Sequence, residues 1–306
     1  MVSKFKGCLI GLACGDYLGM PVEFMQRSQV FQFFGERKLK PLPCHHRAGT
    51  KPPGFYTDDT SLTICLCESL LEKGFDVKDQ FQKYRKWYMT GYGTPFEDKA
   101  FGIGQTTLKM LISLDENNLP DKLEHKEQRG GNGALMRSAP IGLLYYQDEK
   151  EIKDKSIASV IVTHNNLFAA WSCIVLNSFI SYCLHGIDKS NFVKKFISKY
   201  NDCPPELIKI LIQDFSFLDE MIVLNTGYSL HTLNIALYSF FTTDNYEDCI
   251  TKAIFVGGDT DTQAAIAGAL AGAYYGVDDI PQNWVKTLIR KDYIEDLAVR
   301  LYNECP

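Results

Sequence analysis

The sequence predicts a single all-α domain, because apolar residues recur at helical spacing along the chain and strict two-residue alternation is rare. No repeat period is visible, and no low-complexity linker divides the chain. We therefore expect one compact, orthogonal multi-helix domain over residues 1–306, closed around one core. The predicted helices are 60–73, 79–89, 105–114, 156–163, 166–184, 189–200, 205–213, 229–241, 246–254, 261–275 and 282–303.

Two apolar segments are interpreted as core helices. In residues 1–24, Lys4 and Lys6 precede a short apolar run, as in a signal peptide, but Asp16 interrupts the run early and no convincing cleavage site follows. Residues 167–185 are long enough to span a bilayer. They carry four Ser and Asn residues, however, and an all-apolar helix also suits the centre of a large helical domain. We expect no membrane association.

Composition and charge restrict the classes of partner. The net charge is −5, so the chain lacks the basic surface that nucleic acid binding requires. Ten dispersed cysteines without a C-x-x-C motif favour a reducing, cytoplasmic location. Cys44, His45 and His46 lie together but lack a second ligand pair for zinc. No coiled-coil seam is visible, which favours a monomer.

The segment VGGDTDTQAAIAGALAGAYYG, residues 256–276, puts anionic oxygen beside a helix built for burial. Gly257 and Gly258 permit a tight turn before the run Asp259 to Thr262. One Asp or Thr is enough to cap a helix start, so four such residues exceed that need. The Ala- and Gly-rich helix behind them lets neighbouring backbones approach closely.

A second helix start, in FYTDDTSL, carries nearly the same cluster at residues 57–60, about 200 residues earlier. If the two starts meet, their carboxylates repel unless cations lie between them. Asp and Thr oxygens are hard ligands that suit Mg²⁺, Mn²⁺ or Ca²⁺ rather than zinc. Four carboxylates are more than one Mg²⁺ usually takes from protein, which favours two ions about 3.5–4 Å apart. The alternative is two ordinary helix caps.

Two further segments carry candidate residues. In RGGNGALMRSAP the glycines are able to turn backbone N–H groups toward an anion ahead of a helix, although such glycines are also common in loops. For Arg137 we expect a structural salt bridge rather than a contact to that anion. In ACGDYLGMPVEF, Asp16 is expected to be structural, bonded to backbone or hydroxyl groups, and Glu23 lies in a turn from which it reaches a metal or a substrate.

Taken together and in this order, these segments resemble the ADP-ribosylglycohydrolase family. The resemblance runs from Gly7 to about Trp284, and its most specific features are T-D-D and G-D-T-D-T at opposite ends, with G-N-G-A-x-M-R between them. The other matching segments are GCLIGLACGDYLGMPVEF, GIGQTTLKML, VTHNNLFAAWSC and IPQNW. The family implies an all-α domain with a binuclear metal cleft that holds two divalent cations, Mg²⁺ or Mn²⁺.

The resemblance also implies roles for individual residues. The metal ligands would be Thr57, Asp58, Asp59, Asp259, Asp261 and Thr262. The loop Gly131–Asn132–Gly133 would hold the diphosphate, and Glu23 would lie on a mobile flap that closes on the metals. His164 would lie beside the ADP-ribose, although alone it is typical of a buried core histidine, and Tyr228 would contact the nucleotide. Many arginine-directed members carry an acid where this chain has Gly102, which leaves the acceptor open.

The hypothesis is an enzyme that removes ADP-ribose from a modified protein or other acceptor. It would cleave the bond at the anomeric carbon of the distal ribose, through an oxocarbenium-like transition state. The metals would hold ribose hydroxyls and lower the pKa of a water molecule. The base would be Glu23, Asp58, Asp59 or Asp261, which the sequence does not distinguish. The alternatives are an inactive ADP-ribose binder on the same fold and a phosphatase that would release AMP.

Overall fold

The computed structural model describes residues 1–35, 38–46, 49–124, 130–215 and 227–305, with the side chain of His46 left out. The described residues form an all-α fold, as predicted, with one antiparallel hairpin, β1 (Cys44–His46) and β2 (Gly49–Lys51), in which Cys44 lies opposite Lys51. The helices are α1 (Val2–Gly19), α2 (Arg27–Phe34), α3 (Asp58–Lys73), α4 (Val77–Thr90), α5 (Gln105–Ser113), α6 (Ala139–Leu144), α7 (Glu149–Ile161), α8 (Leu167–Leu184), α9 (Phe192–Lys199), α10 (Pro205–Ile212), α11 (Ser229–Phe241), α12 (Tyr246–Ile254), α13 (Thr260–Tyr275), α14 (Gln282–Thr287) and α15 (Lys291–Glu304).

Two predicted helices differ clearly from the structure, each because of an identifiable backbone contact. The predicted helix 282–303 is broken between α14 and α15, where Arg290 takes a left-handed conformation (φ +59°) and the Ile289 N–H donates to Gly54 O at 3.1 Å. Helix α7 begins seven residues before its predicted start, because Asp148 caps it by accepting from the Lys150 and Glu151 N–H groups. Its charged first turn has no apolar periodicity to detect.

Helix α8 packs as a core helix. By length and composition it is able to cross a membrane, and 89% of its apolar window is buried inside the protein. It contacts α6, α7, α11 and α13, which cover it from several sides. This packing agrees with its interpretation as the centre of a large helical domain.

Helices α1 and α13 lie antiparallel in direct backbone contact. Every fourth residue of α1 from Gly7 to Gly19 is a glycine, which places the four on one face of the helix. A Cβ atom built on Gly15 would lie 2.1 Å from Ala264 O, and one on Gly19 would lie 2.3 Å from Thr260 O. The contact therefore leaves no room for side chains, and it places the end of α1 directly beside the start of α13.

Helix α1 also holds the start of α3. The two carboxylate oxygens of Asp16 each accept from the Thr57 N–H at 3.0 Å, and Oδ2 also accepts from the Thr60 N–H at 3.1 Å and the Thr60 hydroxyl at 2.6 Å. These bonds satisfy donors that a helix start leaves free. The prediction that Asp16 is structural is confirmed. One end of α1 thus brings together the first turns of α3 and α13.

The backbone contact makes a stability prediction. We expect Gly15→Ala to destabilise the protein by about 1–3 kcal/mol, because the added methyl group must push α1 and α13 apart. Helix propensity alone would favour alanine by about 1 kcal/mol, so the two effects have opposite signs. Chemical denaturation monitored by circular dichroism measures the difference.

The matched control is Gly104→Ala. Gly104 has a φ of −71°, which alanine adopts freely, and a Cβ atom there meets no described atom within 4 Å. Because Gly104 is the N-cap of α5, where glycine is preferred to alanine, we expect a loss of at most about 1 kcal/mol for this control, smaller than that of Gly15→Ala. A Gly15→Ala variant as stable as the wild type would contradict the described packing.

Candidate metal centre and active site

The acids of the two helix starts converge, together with two acids from the N-terminal segment. One group consists of Asp16, Asp59 and Asp261, and a second consists of Glu23, Asp259 and Asp261. Within each group the potential ligand oxygens lie within 4.8 Å of one another. Asp261 belongs to both groups. The described geometry is therefore that of two adjacent oxygen-rich sites that share one carboxylate.

These acids do more than cap their helices. The Thr57 hydroxyl accepts from the Asp59 N–H and donates to Asp59 Oδ2 at 3.0 Å, so Thr57 is a true cap of α3. The other oxygen, Asp59 Oδ1, is buried and has no hydrogen-bond partner among the described residues. Asp259 occupies the cap position of α13 without capping it, and its Oδ2 accepts from Asn132 Nδ2 at 2.6 Å instead. A buried carboxylate oxygen without a donor fits a cation ligand.

The electrostatics also favour a cation. Burial raises the pKa of Asp58, Asp59 and Asp261 well above the usual value, and the charges of neighbouring acids raise each further. Burial, followed by the charges of Asp259 and Asp16, raises the pKa of Glu23 to about 7. Crowded carboxylates remain ionised most easily beside a divalent cation, and a donor set made only of oxygen suits Mg²⁺, Mn²⁺ or Ca²⁺. The residues present therefore fit the predicted metal.

The structure distributes the other predicted ligands around these groups. Asp58 and Thr262 line a cleft that opens beside these acids. Asp58 belongs to neither of the two acid groups. Thr57 is buried and does not line the cleft. Asp16 is a candidate ligand that the sequence analysis treated as structural only. An acid inside an otherwise apolar helix was the available signal, and its structural bonds do not exclude a second role.

A cleft of about 410 Å³ opens over the acids. Its walls are four of the acids, the segment from Gly102 to Thr107, and the loop Gly131–Gly133 with His164; the four acids are Glu23, Asp58, Asp259 and Asp261. Glu23 lies in the turn after α1 and faces this cleft. Most of the sequence-predicted residues therefore line one cleft although they come from distant segments; Thr57, Asp59 and Tyr228 do not line it.

Asn132 ties the glycine loop to the acids. Its N–H donates to Gly227 O at 2.9 Å, and its side-chain nitrogen donates to Asp259 and to Thr232 Oγ1. All its donors are therefore used within the protein. Asn132 lines the cleft together with Gly131 and Gly133, and the binding of a diphosphate by this loop stays a prediction. The loop leads into a single 3₁₀ turn, Asn132–Ala134, rather than the predicted helix.

The predicted salt bridge of Arg137 is wrong. Arg137 is buried and has no carboxylate within ion-pair distance among the described residues. It donates instead to Gly133 O at 2.8 Å and Thr163 Oγ1 at 2.6 Å, and its guanidinium carbon lies 4.4 Å from the Tyr84 ring centroid. A carbonyl, a hydroxyl and an aromatic face together stabilise a buried guanidinium. Arg137 therefore fixes the glycine loop from behind.

The same network orients His164. Thr163 Oγ1 accepts from Arg137 and lies 2.8 Å from His164 Nδ1, so its hydroxyl hydrogen is able to point at the ring. The Thr163 hydroxyl pairs with Nδ1 in either tautomer, so this contact fixes the orientation of the ring. A Cβ atom on Gly131 would lie 3.4 Å from Nε2, so this nitrogen faces the glycine loop. His164 is therefore held with Nε2 toward the glycine loop, and its contact with ADP-ribose stays a prediction.

Comparisons with known proteins identify the family. A family model described as ADP-ribosylglycohydrolase matches residues 1–306. The chain belongs to the ADP-ribosylglycohydrolase family. It is 29% identical to the ADP-ribosylarginine hydrolase Tri1 of Serratia proteamaculans, over 100% of this chain and 80% of that protein. It is also 29% identical to the ADP-ribosyl-[dinitrogen reductase] glycohydrolase of Rhodospirillum rubrum, over 93% of this chain and 90% of that protein.

Two further comparisons extend this result. The ADP-ribosylhydrolase ARH3 of Danio rerio is 26% identical over 99% of this chain and 91% of that protein. A solved structure described as an ADP-ribosylglycohydrolase-related protein complex is 31% identical, with a TM-score of 0.80 over 100% of this chain and 99% of that one. The resemblance found from the sequence is confirmed, and family and relatives indicate ADP-ribosyl hydrolase activity on modified acceptors.

The structure shows the contacts of Tyr228 and Gly102, two positions singled out by the family resemblance. Tyr228 pairs through its backbone with Gly131, and its ring packs edge-on against His231 at 5.1 Å. Gly227, rather than Tyr228, lines the cleft, so the nucleotide contact of Tyr228 stays a prediction. Gly102 has a φ of +89°, and a Cβ atom there would lie 2.3 Å from Asp58 Oδ1. The backbone at Gly102 is thus pressed against an acid of the site.

The raised pKa values predict how stability depends on pH. The pKa of Glu23 is about 7 in the folded protein against an ordinary 4.5, and that of Asp16 is about 6 against 3.8. Between about pH 5 and 7 the native state therefore binds more protons than the unfolded state, so stability falls as pH rises. We expect the Tm of chelator-treated protein to decrease over this range, and Mg²⁺ or Mn²⁺ to reduce that decrease.

Differential scanning fluorimetry at fixed ionic strength measures this effect. Glu23→Gln removes one of the titrating groups and is expected to flatten the profile of the chelated protein. A chelated wild type that is equally stable at pH 5 and pH 7, or more stable at pH 7, would contradict the described crowding of acids.

Proposed function

We propose that this chain is a metal-dependent hydrolase that removes ADP-ribose from a modified acceptor. The bond cleaved would be the glycosidic bond at the anomeric carbon of the distal ribose. The observation that carries the proposal is the cleft in which Glu23, Asp259 and Asp261 lie beside the Gly131–Gly133 loop, with Asp16 and Asp59 grouped behind Asp261. Membership of the ADP-ribosylglycohydrolase family supports it.

We assign the cation sites to the carboxylates of the two groups. Asp59 with Asp16, and Asp259 with Glu23, would each contribute to one site, and Asp261 would contribute to both. Thr57, Asp58 and Thr262 would complete the ligand set. Two bound divalent cations, Mg²⁺ or Mn²⁺, would supply positive charge for ribose hydroxyls and lower the pKa of a water molecule.

The protein's own groups would bind and orient the ADP-ribose. The N–H groups of the glycine loop suit the diphosphate, and His164 Nε2, when it carries the ring proton, would be a further donor at the same wall of the cleft. Arg137 would keep this wall rigid by holding the Gly133 carbonyl. Rigid donors favour a bound geometry close to that of the transition state.

Glu23 is the best candidate for the general base. It lines the cleft and is partly exposed, whereas Asp58 and Asp261 are buried and Asp59 is buried without lining the cleft. Burial and neighbouring acids raise the pKa of Glu23 to about 7 in the metal-free protein, and bound cations would lower this pKa and keep the carboxylate ionised as a base. Its carboxylate would accept the proton of the attacking water and later return it to the leaving group.

The setting we propose is a monomer in the reducing cytoplasm. All ten cysteines are free thiols, and nine are buried. The acceptor linkage depends on the rim of the cleft, where Gly102 supplies no acid to pair with a guanidinium. We therefore expect arginine-linked ADP-ribose to gain no counter-charge from this position.

Product analysis tests the function directly. Wild-type protein with Mg²⁺ or Mn²⁺ is incubated with defined arginine- and serine-linked ADP-ribosyl peptides, and the products are separated by chromatography. We expect intact ADP-ribose and an unmodified peptide. AMP as the product would favour a phosphatase instead, and retention of the modified peptide without release would favour an inactive binder.

Asp261 gives the sharpest single variant. We expect Asp261→Asn to lower kcat by at least about a hundredfold and to reduce metal content, because one oxygen ligand of both sites is lost. The control is Asp292→Asn, whose side chain is 92% exposed and pairs only with Lys291 among the described residues. Full activity of Asp261→Asn with normal metal content would refute the assignment.

The contact between Gly102 and Asp58 makes a separate prediction. Gly102→Ala is expected to lower kcat/KM on the order of a hundredfold, because a methyl group at 2.3 Å must displace Asp58 or the loop. The control is Gly104→Ala, two residues away on the same wall, where the added methyl group meets open space. It should lower kcat/KM much less than Gly102→Ala does. Equal effects from the two variants would mean that the position of Asp58 is unimportant.

A further inference from the structure

Phe24 has an unusual backbone conformation at the edge of the cleft. Its φ is +60°, a left-handed value that aromatic residues rarely adopt. The Phe24 N–H donates to Gly258 O at 2.7 Å, and Met25 pairs with Gly258 in an isolated antiparallel bridge. The conformation is therefore imposed by the loop that leads into α13.

The ring of Phe24 contributes little to packing. It lines the cleft, yet the residue is 62% exposed. Glycine or asparagine would fit a left-handed backbone with less strain, and a polar side chain would suit an exposed position better. Strain that is retained at the edge of a site indicates a function for the side chain that it displays.

The position of Phe24 in the cleft defines what it contacts. Its neighbour Glu23 belongs to the acid group at which, in the proposed reaction, the distal ribose is cleaved. The glycine loop and His164 take the diphosphate, so the adenosine half of the ligand extends away from the acids on that side. Phe24 adjoins Glu23 and lines the cleft, so its ring lies beside the acids, close to where the acceptor is joined to the distal ribose in the proposed reaction.

The rim beside the acids offers apolar contacts rather than charge. Phe24, Ile103 and the glycines at 102 and 104 line it, and every charged side chain among the described lining residues is a carboxylate. An exposed aromatic ring contacts peptide backbone and aliphatic side chains at low entropic cost. The occupant that fits this rim is an extended polypeptide.

We propose that Phe24 is a specificity-determining residue that contacts the polypeptide on either side of the modified residue. The inference rests on the proposed hydrolase function. It assigns to Phe24 the distinction between an ADP-ribosylated polypeptide and the same linkage on a free amino acid.

The test compares kcat/KM on two substrates with one linkage, an ADP-ribosylated peptide and the corresponding ADP-ribosylated amino acid. Phe24→Asn removes the ring and tolerates the left-handed backbone. We expect the ratio of kcat/KM for peptide over amino acid to fall about tenfold, mostly through KM for the peptide. Phe24→Tyr keeps a ring and should restore the ratio. Calorimetry with free ADP-ribose gives a second readout, in which the Kd of Phe24→Asn should match that of the wild type.

Two controls keep the outcome interpretable. Phe33→Ala removes an aromatic residue that is 44% exposed and does not line the cleft, and it should leave the ratio unchanged. Phe24→Gly relieves the backbone strain, so it should lower the ratio without lowering the Tm. An unchanged ratio in Phe24→Asn, or equal losses on both substrates with weaker ADP-ribose binding, would overturn the inference. Failure of the wild type to release ADP-ribose from either substrate would overturn the proposed function itself.

Discussion

The candidate site depends on the backbone contact between α1 and α13, which the glycines at every fourth position of α1 allow. Because this contact is antiparallel, it places Gly19 beside Thr260, and the Thr260 hydroxyl donates to Gly19 O at 2.8 Å. One turn earlier, Asp16 holds the first turn of α3. In residues 256–276 the small residues allow the close packing of α13 on α1, and this packing positions the anionic oxygens at the start of α13. Close packing of the helix brings its acidic start to the acids of another helix.

The negative charge of the buried carboxylates is the second constraint on the site, and the hydrogen bonds of Asn132 and Arg137 surround these carboxylates. Burial and mutual repulsion make the ionised acids costly, and divalent cations are the simplest compensation. Asn132 connects this acidic region to the glycine loop through Asp259, and Arg137 supports that loop from behind. The acids and the glycine loop are thus joined by a continuous set of hydrogen bonds.

The sequence predicted what depends on local pattern and missed what depends on three-dimensional neighbours. The helical class and the convergence of 57–60 with 259–262 were predictable, since two similar oxygen-rich helix starts in one chain favour a shared cation site. The break at Arg290 depends on Gly54 O, which is remote in the chain. The partners of Arg137 and the used donors of Asn132 were not predictable, because residue type does not reveal which carbonyls and hydroxyls lie nearby. Phe24 was missed because a backbone angle has no signature in composition.

Anomalous diffraction from crystals grown with Mn²⁺ tests the central claim most directly, because it locates each cation relative to both helix starts. We expect two Mn²⁺ ions in each chain, an oxygen of Asp261 bound to each ion, and carboxylates from both α3 and α13 among the ligands. Crystals without an ion between these helix starts, or with ions bound only by the acids of one helix, would contradict that claim.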